Sequence, residues 1–146
     1  YVKIQSMRFP GKFDVIYNVE EDMLTCGMLK FILQPLMENA MEHGVIPCKK
    51  RGRIEVTGKI SSDHIAEISI CDNGNGISDE TLQTLHQELK KDLQQGVNHS
   101  SSGIGLINVH QRIKNYYGEE FGISVESNQG EYTCVRVRFP VLREEV

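Results

Sequence analysis

The sequence predicts an α/β protein, a two-layer sandwich in which one mixed sheet is covered on one face by about three helices. Three observations lead to this fold class. Several segments alternate apolar with polar residues, as half-buried strands do. Two stretches between them carry apolar residues at helical spacing. The length of 146 residues suits one domain with a substantial core.

The first half of the chain is predicted to run strand, helix, strand, strand. Alternation over residues 13–19 indicates the first strand. Apolar residues then recur at helical spacing from residue 29 to about residue 43, where Gly44 is expected to end the helix. Pro35 is expected to bend this helix or to mark a start within it. Two further alternating segments, 54–60 and 66–71, predict the next two strands.

The second half begins with a polar segment over residues 78–102, which shows weak helical periodicity and ends in turn-forming residues. A firmer helix is predicted from Gly105, and Gly118 stands past its end. Its apolar stripe is Leu106, Val109, Ile113 and Tyr116. Segments 123–127 and 133–139, joined by a turn over 128–130, predict a hairpin.

Composition excludes several classes of protein. The formal net charge of −4 argues against a nucleic-acid binder, because phosphate neutralisation needs a basic surface. No apolar run is long enough to span a bilayer, so no membrane contact is expected. The four cysteines lack C-x-x-C spacing, so reduced thiols in a cytosolic protein are expected and a metal site at them is not. Because the chain starts at Tyr1 without an initiator methionine, we expect a piece of a larger protein.

The first segment with chemical potential is QPLMENAMEHG, residues 34–44. On a helix Asn39 and His43 lie one turn apart on one face, and so do Glu38 and Glu42. An asparagine carbonyl oxygen is a hard ligand suited to Mg²⁺. The alternative is a set of polar residues on a solvated helix face.

The second segment is Asp72-Asn73-Gly74-Asn75-Gly76, directly after a predicted strand. Asp72 continues the apolar face of that strand, where a carboxylate is costly unless a group donates a hydrogen bond to it. The exocyclic amine of adenine is such a donor, and the glycines would allow close approach of a flat ring. The alternative is a plain Asp-Asn-Gly turn. The loop is not an EF-hand, since its twelfth position is Gln83 rather than a glutamate.

The third segment is Gly103-Ile104-Gly105-Leu106, which opens a predicted helix. Unpaired amides at a helix start bind anions, although the glycines could equally form a simple cap. The segment is not a dinucleotide fingerprint, because Asn108 replaces the third glycine, and the chain holds no P-loop motif.

Taken in order, these segments resemble the Bergerat (GHKL) ATP-binding fold. The strings LQPLMENAMEHG, DNGNGI, GIGLINVHQRI and RVRFP are most similar to the catalytic domain of YesM/LytS-type bacterial sensor histidine kinases. The resemblance covers about residues 9–140, and residues 1–8 resemble the end of the linker helix that precedes this domain. It implies an ATP-binding catalytic domain over 9–146 with an ATP lid at about 78–102.

The resemblance also implies site residues. Asn39 would coordinate Mg²⁺, with His43 on the phosphate side, and Glu38 is kept beside them as a candidate catalytic residue. Asp72 would bind adenine, with Thr133 supporting it. Gly74 and Gly76 would line the base pocket, and Gly103 and Gly105 would offer amides to the phosphates. The other residues expected to bind ATP are Ile77, Ile104, Leu106 and Arg112, whose role as phosphate contact or structural ion pair stays open.

Two positions depart from the family pattern. Glu42 stands where many relatives carry a lysine that neutralises phosphate charge, and a carboxylate beside a triphosphate repels it. Tyr132 replaces the usual glycine before Thr133, where it could crowd the turn or cover the base. A degenerate, non-catalytic nucleotide-binding module is therefore an alternative.

A third position bears on the reaction. ATP-hydrolysing relatives place a glutamate four residues before the asparagine, and here that residue is Pro35. Transfer to a protein nucleophile is therefore favoured over hydrolysis, with an ATPase or serine kinase as further alternatives.

The resemblance implies partners outside this chain. None of its histidines stands in a Pro-His-Phe context, so the acceptor histidine is expected on an upstream dimerisation domain, in a homodimer that also meets a response regulator. The chain would be the cytoplasmic part of a membrane-tethered sensor.

Overall fold

The computed structural model describes residues 1–91 and 104–141. In chain order its strands are β1 (Phe13–Val19), β2 (Gly52–Ile60), β3 (Ile65–Asp72), β4 (Gly122–Asn128) and β5 (Tyr132–Pro140). Its α-helices are α1 (Val2–Arg8), α2 (Leu33–Glu38), α3 (Asp79–Lys90) and α4 (Ile104–Tyr117), with a 3₁₀ turn at Glu21–Thr25 and a π-helix at Asn39–Val45.

The five strands form one mixed sheet in the order β1-β2-β3-β5-β4. Strand β1 pairs parallel with β2, and the other neighbours pair antiparallel. The predicted strands and hairpin are confirmed to within two residues at each end. The predicted fold class, a mixed sheet with helices on one face, is confirmed as well.

The sheet has a covered face and an open face. On β5, the alternating residues Thr133, Val135, Val137 and Phe139 are at most 4% exposed and belong to the covered face. Charged side chains occupy the open face, where Lys59 pairs with Glu67 and Arg136 with Glu126. One-sided coverage is what strict alternation along a strand predicts.

The helix that carries the first segment differs from the prediction in both its start and its end. It begins at Leu33, so that Pro35 lies in the first turn, where its missing N–H costs nothing. It changes to a π-helix at Asn39 and continues to Val45. Gly44 therefore does not end the helix, and the expectation that it would was wrong. π-Helical turns inside helices are frequently found at functional sites.

The remaining helices complete the covering layer. The weak helical periodicity that begins at residue 78 corresponds to a regular helix, α3. The hydroxyl of Ser78 caps its start by accepting a hydrogen bond from the Thr81 amide. The rest of the predicted lid, residues 92–102, lies outside the described residues. In α4, Leu106, Val109 and Ile113 are buried as predicted. Tyr116, predicted on the same stripe, is 61% exposed, and Tyr117 packs on Phe139 in its place.

A buried histidine ties these helices to the sheet. The Nδ1 atom of His110, in α4, accepts from the amide of Ile123 at 2.8 Å. Its Nε2 therefore carries the proton and lies 2.8 Å from the carbonyl oxygen of Leu89 in α3. Burial lowers the pKa of His110, so the imidazole is held neutral.

The cysteines are not all free thiols, contrary to the expectation of reduced cysteines. Cys71 and Cys134 are joined by a disulfide, whereas Cys26 and Cys48 are free. The bonded pair lies at facing positions of the antiparallel strands β3 and β5. Sequence spacing could not reveal this pair, because the register of β3 against β5 brings together residues that are 63 positions apart.

Within the described ranges, no helix is both long and apolar enough to cross a membrane.

Candidate functional site

The second sequence segment places a carboxylate in the interior. Asp72 ends β3 on the covered face and is 3% exposed. Its Oδ1 accepts a hydrogen bond from the amide of Gly74 at 2.9 Å. Burial raises the pKa of Asp72 to about 6, although the Gly74 bond acts in the opposite direction. The protein therefore holds a carboxylate whose desolvation is only partly compensated by its own hydrogen bonds.

Two glycines allow the π-helix to press against this carboxylate. A Cβ atom added to Gly44 would lie 2.5 Å from Oδ1 of Asp72, and one added to Gly74 would lie 2.3 Å from the Gly44 carbonyl oxygen. Neither distance is possible for a real side chain, so both positions require glycine. Gly44 was predicted only as a helix end, and its contact with Asp72 depends on tertiary packing.

The loop after Asp72 is fastened to its surroundings on both sides. Asn75 accepts from the Gly130 amide at 2.6 Å through its backbone oxygen and from the Cys48 thiol at 2.8 Å through its side chain. Gly76 has a positive φ of 65° and lies so close to Asn128 that an added Cβ atom would be 2.2 Å from its carbonyl oxygen. The loop is thus a fixed surface, and a simple solvated Asp-Asn-Gly turn does not describe it.

A cavity of about 300 Å³ lies beside this loop. It collects residues from all three sequence segments and from α3, namely Asn39, His43, Gly76, Ile77, Ser78, Thr81, Leu85 and Leu106. Asn39 and His43 therefore do share one face of the helix, and that face looks into the cavity. The contribution of Ser78, Thr81 and Leu85 was not predicted, because it depends on how α3 packs.

The acidic residues of the same helix lie elsewhere. The carboxylate of Glu38 accepts from the side-chain amide of Gln34 at 3.0 Å. Glu42 is exposed and accepts from the hydroxyl of Tyr1 at 3.3 Å. Desolvation together with the charges of Glu42 and Glu38 raises the pKa of Tyr1 to about 12. Neither glutamate lines the cavity.

Thr133 and its neighbours support the floor of the site. Thr133 faces Asp72 across β3 and β5 and is 4% exposed. Its hydroxyl is 2.9 Å from that of Ser127, which also accepts from the amide of Ile77 at 2.8 Å. Ser127 thus connects the hairpin to the loop, and the sequence reasoning missed it. The hydroxyl of Tyr132 donates to Glu126 on the open face at 2.8 Å, and Tyr132 does not line the cavity beside the loop.

Arg112 is not brought to the cavity. Its guanidinium donates to the carbonyl oxygens of Lys30 at 2.7 Å and of Phe31 at 3.3 Å. Phe31 has a positive φ of 64°, which is uncommon for a bulky residue, and Arg112 fastens its carbonyl. The guanidinium thus ties α4 to the segment before α2, and Arg112 does not line the cavity.

The third segment is described only in part. Gly103 lies outside the described residues, and α4 begins at Ile104. Gly105 lies in the first turn of α4 opposite Pro35, which is 3.8 Å from the position of an added Cβ atom. The start of α4 therefore packs against the start of α2, next to Leu106 in the cavity wall.

Comparison with known proteins identifies the family. The family model described as "Histidine kinase-, DNA gyrase B-, and HSP90-like ATPase" matches residues 27–143. This chain belongs to that family, and within it to the sensor histidine kinase type of ATP-binding catalytic domain.

Two curated relatives illustrate this type. The Sensor histidine kinase YpdA of Escherichia coli is 32% identical over 119 residues, covering 82% of this chain and 19% of the relative. The Sensor protein LytS of Bacillus cereus is 28% identical over 141 residues, covering 96% of this chain and 23% of the relative. The chain thus spans about a fifth of the length of these relatives.

Solved structures share the fold. The catalytic domain of histidine kinase ThkA superposes with a TM-score of 0.66 at 14% identity, covering 99% of this chain and 90% of that one. The mycobacterial sensor histidine kinase MprB superposes with a TM-score of 0.61 at 17% identity, covering 96% of this chain and 90% of that one.

Proposed function

We propose that this domain binds Mg²⁺·ATP in the cavity beside the loop that follows Asp72 and donates the γ-phosphoryl group to a histidine on another domain of the same protein. The observation that carries the proposal is the convergence of residues from three separate sequence segments on one cavity, beside the loop that follows the buried carboxylate of Asp72. Family membership supports ATP as the nucleotide.

Asp72 is the proposed adenine-recognition group. Its carboxylate is buried, has one backbone donor and carries a raised pKa, so it gains from a further donor. The exocyclic amine of adenine supplies such a donor. Gly74 and Gly76 leave the loop backbone without side chains, so that a flat ring can approach it. Thr133 and Ser127 hold the strand pair and the loop beneath it.

Asn39 is the proposed Mg²⁺ ligand. The described residues contain no group of three or more histidine, cysteine or acidic side chains that could hold a metal ion. A single asparagine oxygen fits Mg²⁺, which binds through few protein ligands and relies on waters and substrate phosphates. The metal supplies charge stabilisation to the phosphates, and His43, one turn away in the same cavity wall, is placed to contact them.

Phosphoryl transfer is proposed rather than hydrolysis. Pro35 offers no base for water, and the carboxylate of Glu38 is engaged by Gln34 outside the cavity wall. The domain therefore acts by positioning ATP and stabilising its charge, with the nucleophile supplied by another domain. Glu42 and Tyr132, which motivate the non-catalytic alternative, both make contacts away from the cavity.

The whole protein is proposed to be a membrane-tethered sensor kinase with this domain in the cytoplasm. Residues 1–8 would end a linker helix from an upstream dimerisation domain, residues 9–146 would form the catalytic domain, and 78–102 would form the ATP lid. One relative is named a sensor histidine kinase and another a sensor protein, and histidine kinase ThkA is described in complex with response regulator TrrA. We therefore propose a homodimer that phosphorylates a response regulator.

A labelling experiment tests the proposal. The longer protein, including the segment that precedes Tyr1, is incubated with γ-labelled ATP, and acid-labile phosphohistidine and free phosphate are measured. We expect phosphohistidine in the parent protein and in Glu42→Gln, and none in Asp72→Asn or Asn39→Ala. Asn39→Ala should also lose the gain in ATP affinity that Mg²⁺ gives to the parent.

Two other outcomes would replace the proposal. Tight ATP binding without any phosphohistidine would favour the non-catalytic module. Steady phosphate release by the isolated domain, abolished in Glu38→Ala, would favour an ATPase.

A further inference from the structure

We propose that Cys71 and Cys134 form a redox-modification site, a cross-strand dithiol that small-molecule disulfides oxidise reversibly, and that its state changes the ATP affinity of the neighbouring site. The second half of this inference rests on the proposed function. The first half, the chemistry of the cysteines, is independent of ATP.

The two cysteines face each other across the centre of the sheet. They occupy matching positions of β3 and β5, and their sulfur atoms are bonded. The same cross-strand row continues to Glu55 on β2 and Glu126 on β4. The sheet register holds these two cysteines opposite each other, whereas Cys26 and Cys48 are free thiols with no such arrangement in the described structure.

The site is open to a small reagent. The cysteines lie in a cleft of about 360 Å³ on the open face of the sheet. Its lining also includes Arg53, Glu55, Asp72, Glu126 and Arg136. Cys71 is partly exposed and Cys134 is 4% exposed, so Cys71 is the sulfur that a reagent reaches first.

The reaction is thiol–disulfide exchange. The thiolate of Cys71 attacks one sulfur of a small-molecule disulfide, the S–S bond of the reagent breaks, and one small thiolate leaves. The thiolate of Cys134 then attacks the Cys71 sulfur of the mixed disulfide and releases the second small thiolate. Two protein thiols are oxidised, one small disulfide is reduced to two small thiols, and the two thiol protons end on those products.

The dithiol is coupled to the candidate ATP site through the backbone. Cys71 directly precedes Asp72, and Cys134 directly follows Thr133. The bonded pair and the Asp72–Thr133 pair are therefore consecutive rows of the same two strands, on opposite faces of the sheet. Reduction replaces a covalent bond by two thiols in non-bonded contact, which must move apart. The strand pair that carries Asp72 and Thr133 is held less firmly as a result.

The test measures thiol state and ATP affinity separately. The domain is equilibrated with reduced dithiothreitol or with oxidised glutathione, and intact mass and non-reducing peptide mapping report which cysteines are bonded. We expect the oxidised domain to lose two hydrogen atoms at the Cys71–Cys134 pair alone. It should then bind ATP about fivefold more tightly than the reduced domain. A factor of about five is at the low end of the affinity changes that one site typically causes at another.

Variants separate the pair from the other cysteines. Cys26→Ser serves as the matched control and should keep both effects, while Cys71→Ser and the double variant Cys71→Ala/Cys134→Ala should lose both. Thermal unfolding checks that each variant is folded. Cys71→Ser is expected to disturb the fold less than the double variant, because Cys71 is partly exposed and Cys134 is buried.

The outcomes are distinguishable from those of the proposed function. Failure of the pair to oxidise, or oxidation with unchanged ATP affinity, overturns this inference. Oxidation of the pair in a domain that binds ATP in neither state contradicts the proposed function instead.

Discussion

Gly44 lies against the carboxylate of Asp72 so closely that a Cβ atom at Gly44 would be 2.5 Å from Oδ1. The two residues come from different elements, the π-helix that carries Asn39 and the end of β3. This contact fixes the distance between the proposed metal-binding helix and the proposed adenine-binding carboxylate. Both halves of the site therefore depend on one glycine.

We expect Gly44→Ala to weaken ATP binding about tenfold, a loss of about 1.4 kcal/mol, because the added Cβ atom overpacks this contact and displaces Asp72 or the helix. Isothermal titration with ATP measures the effect. Gly27→Ala is the matched control, since an added Cβ atom there meets nothing within 4 Å. Equal affinity in Gly44→Ala and the parent would contradict the proposed geometry.

The stability of the nucleotide-free domain should fall as Asp72 ionises. The pKa of Asp72 is raised from 3.8 to about 6 in the folded domain. Its contribution to stability is therefore full below about pH 4 and is lost as the pH rises through about 6. This pKa shift corresponds to a loss of about 3 kcal/mol in the free energy of unfolding at neutral pH, relative to acid pH.

Asp72→Asn removes this titration and should gain stability relative to the parent as the pH rises from 5 to 8, while it loses ATP binding. Urea unfolding of both proteins across that range measures the difference in free energy of unfolding. A difference that does not change with pH would show that the carboxylate titrates as it does in the unfolded chain.

His110 should give the opposite pH dependence. Its pKa is lowered by burial, so its contribution to stability is present above pH 6.5, the ordinary pKa of histidine, and is lost as the pH falls below that value. A proton on Nδ1 would face the amide of Ile123, which now donates to that atom. Replacement of His110 by Asn should therefore flatten the acid side of the unfolding profile, and an unchanged acid limb would contradict the role of the neutral imidazole.

Arg112 should act on stability and not on ATP. We expect Arg112→Ala to lower the free energy of unfolding by about 1 kcal/mol, because two carbonyl oxygens lose their donor. ATP affinity should stay within about twofold of the parent, a change below 1 kcal/mol. Arg138→Ala, on an exposed position of the open face, controls for the loss of positive charge. A selective loss of ATP affinity in Arg112→Ala would make this residue a phosphate contact after all.

Much of the fold followed from local patterns. Alternation located each strand, because one face of the sheet is covered and the other meets water. The apolar stripe of α4 was right at Leu106, Val109 and Ile113 and wrong at Tyr116, where the neighbouring Tyr117 reaches Phe139 instead. The helical periodicity of α3 was weak in the sequence because only two of its residues, Leu85 and Leu89, are buried.

The sequence by itself determined which residue types are available for nucleotide chemistry and the order in which they occur, since Asn39, Asp72 and Leu106 stand in recognisable local motifs. The tertiary structure alone decided which of them meet. Gly44 packs against Asp72, and Arg112 donates to the carbonyl oxygen of Lys30. Cys71 is bonded to Cys134. The physical reason is that strand register and helix docking set distances between residues far apart in the chain, and no local periodicity encodes those distances.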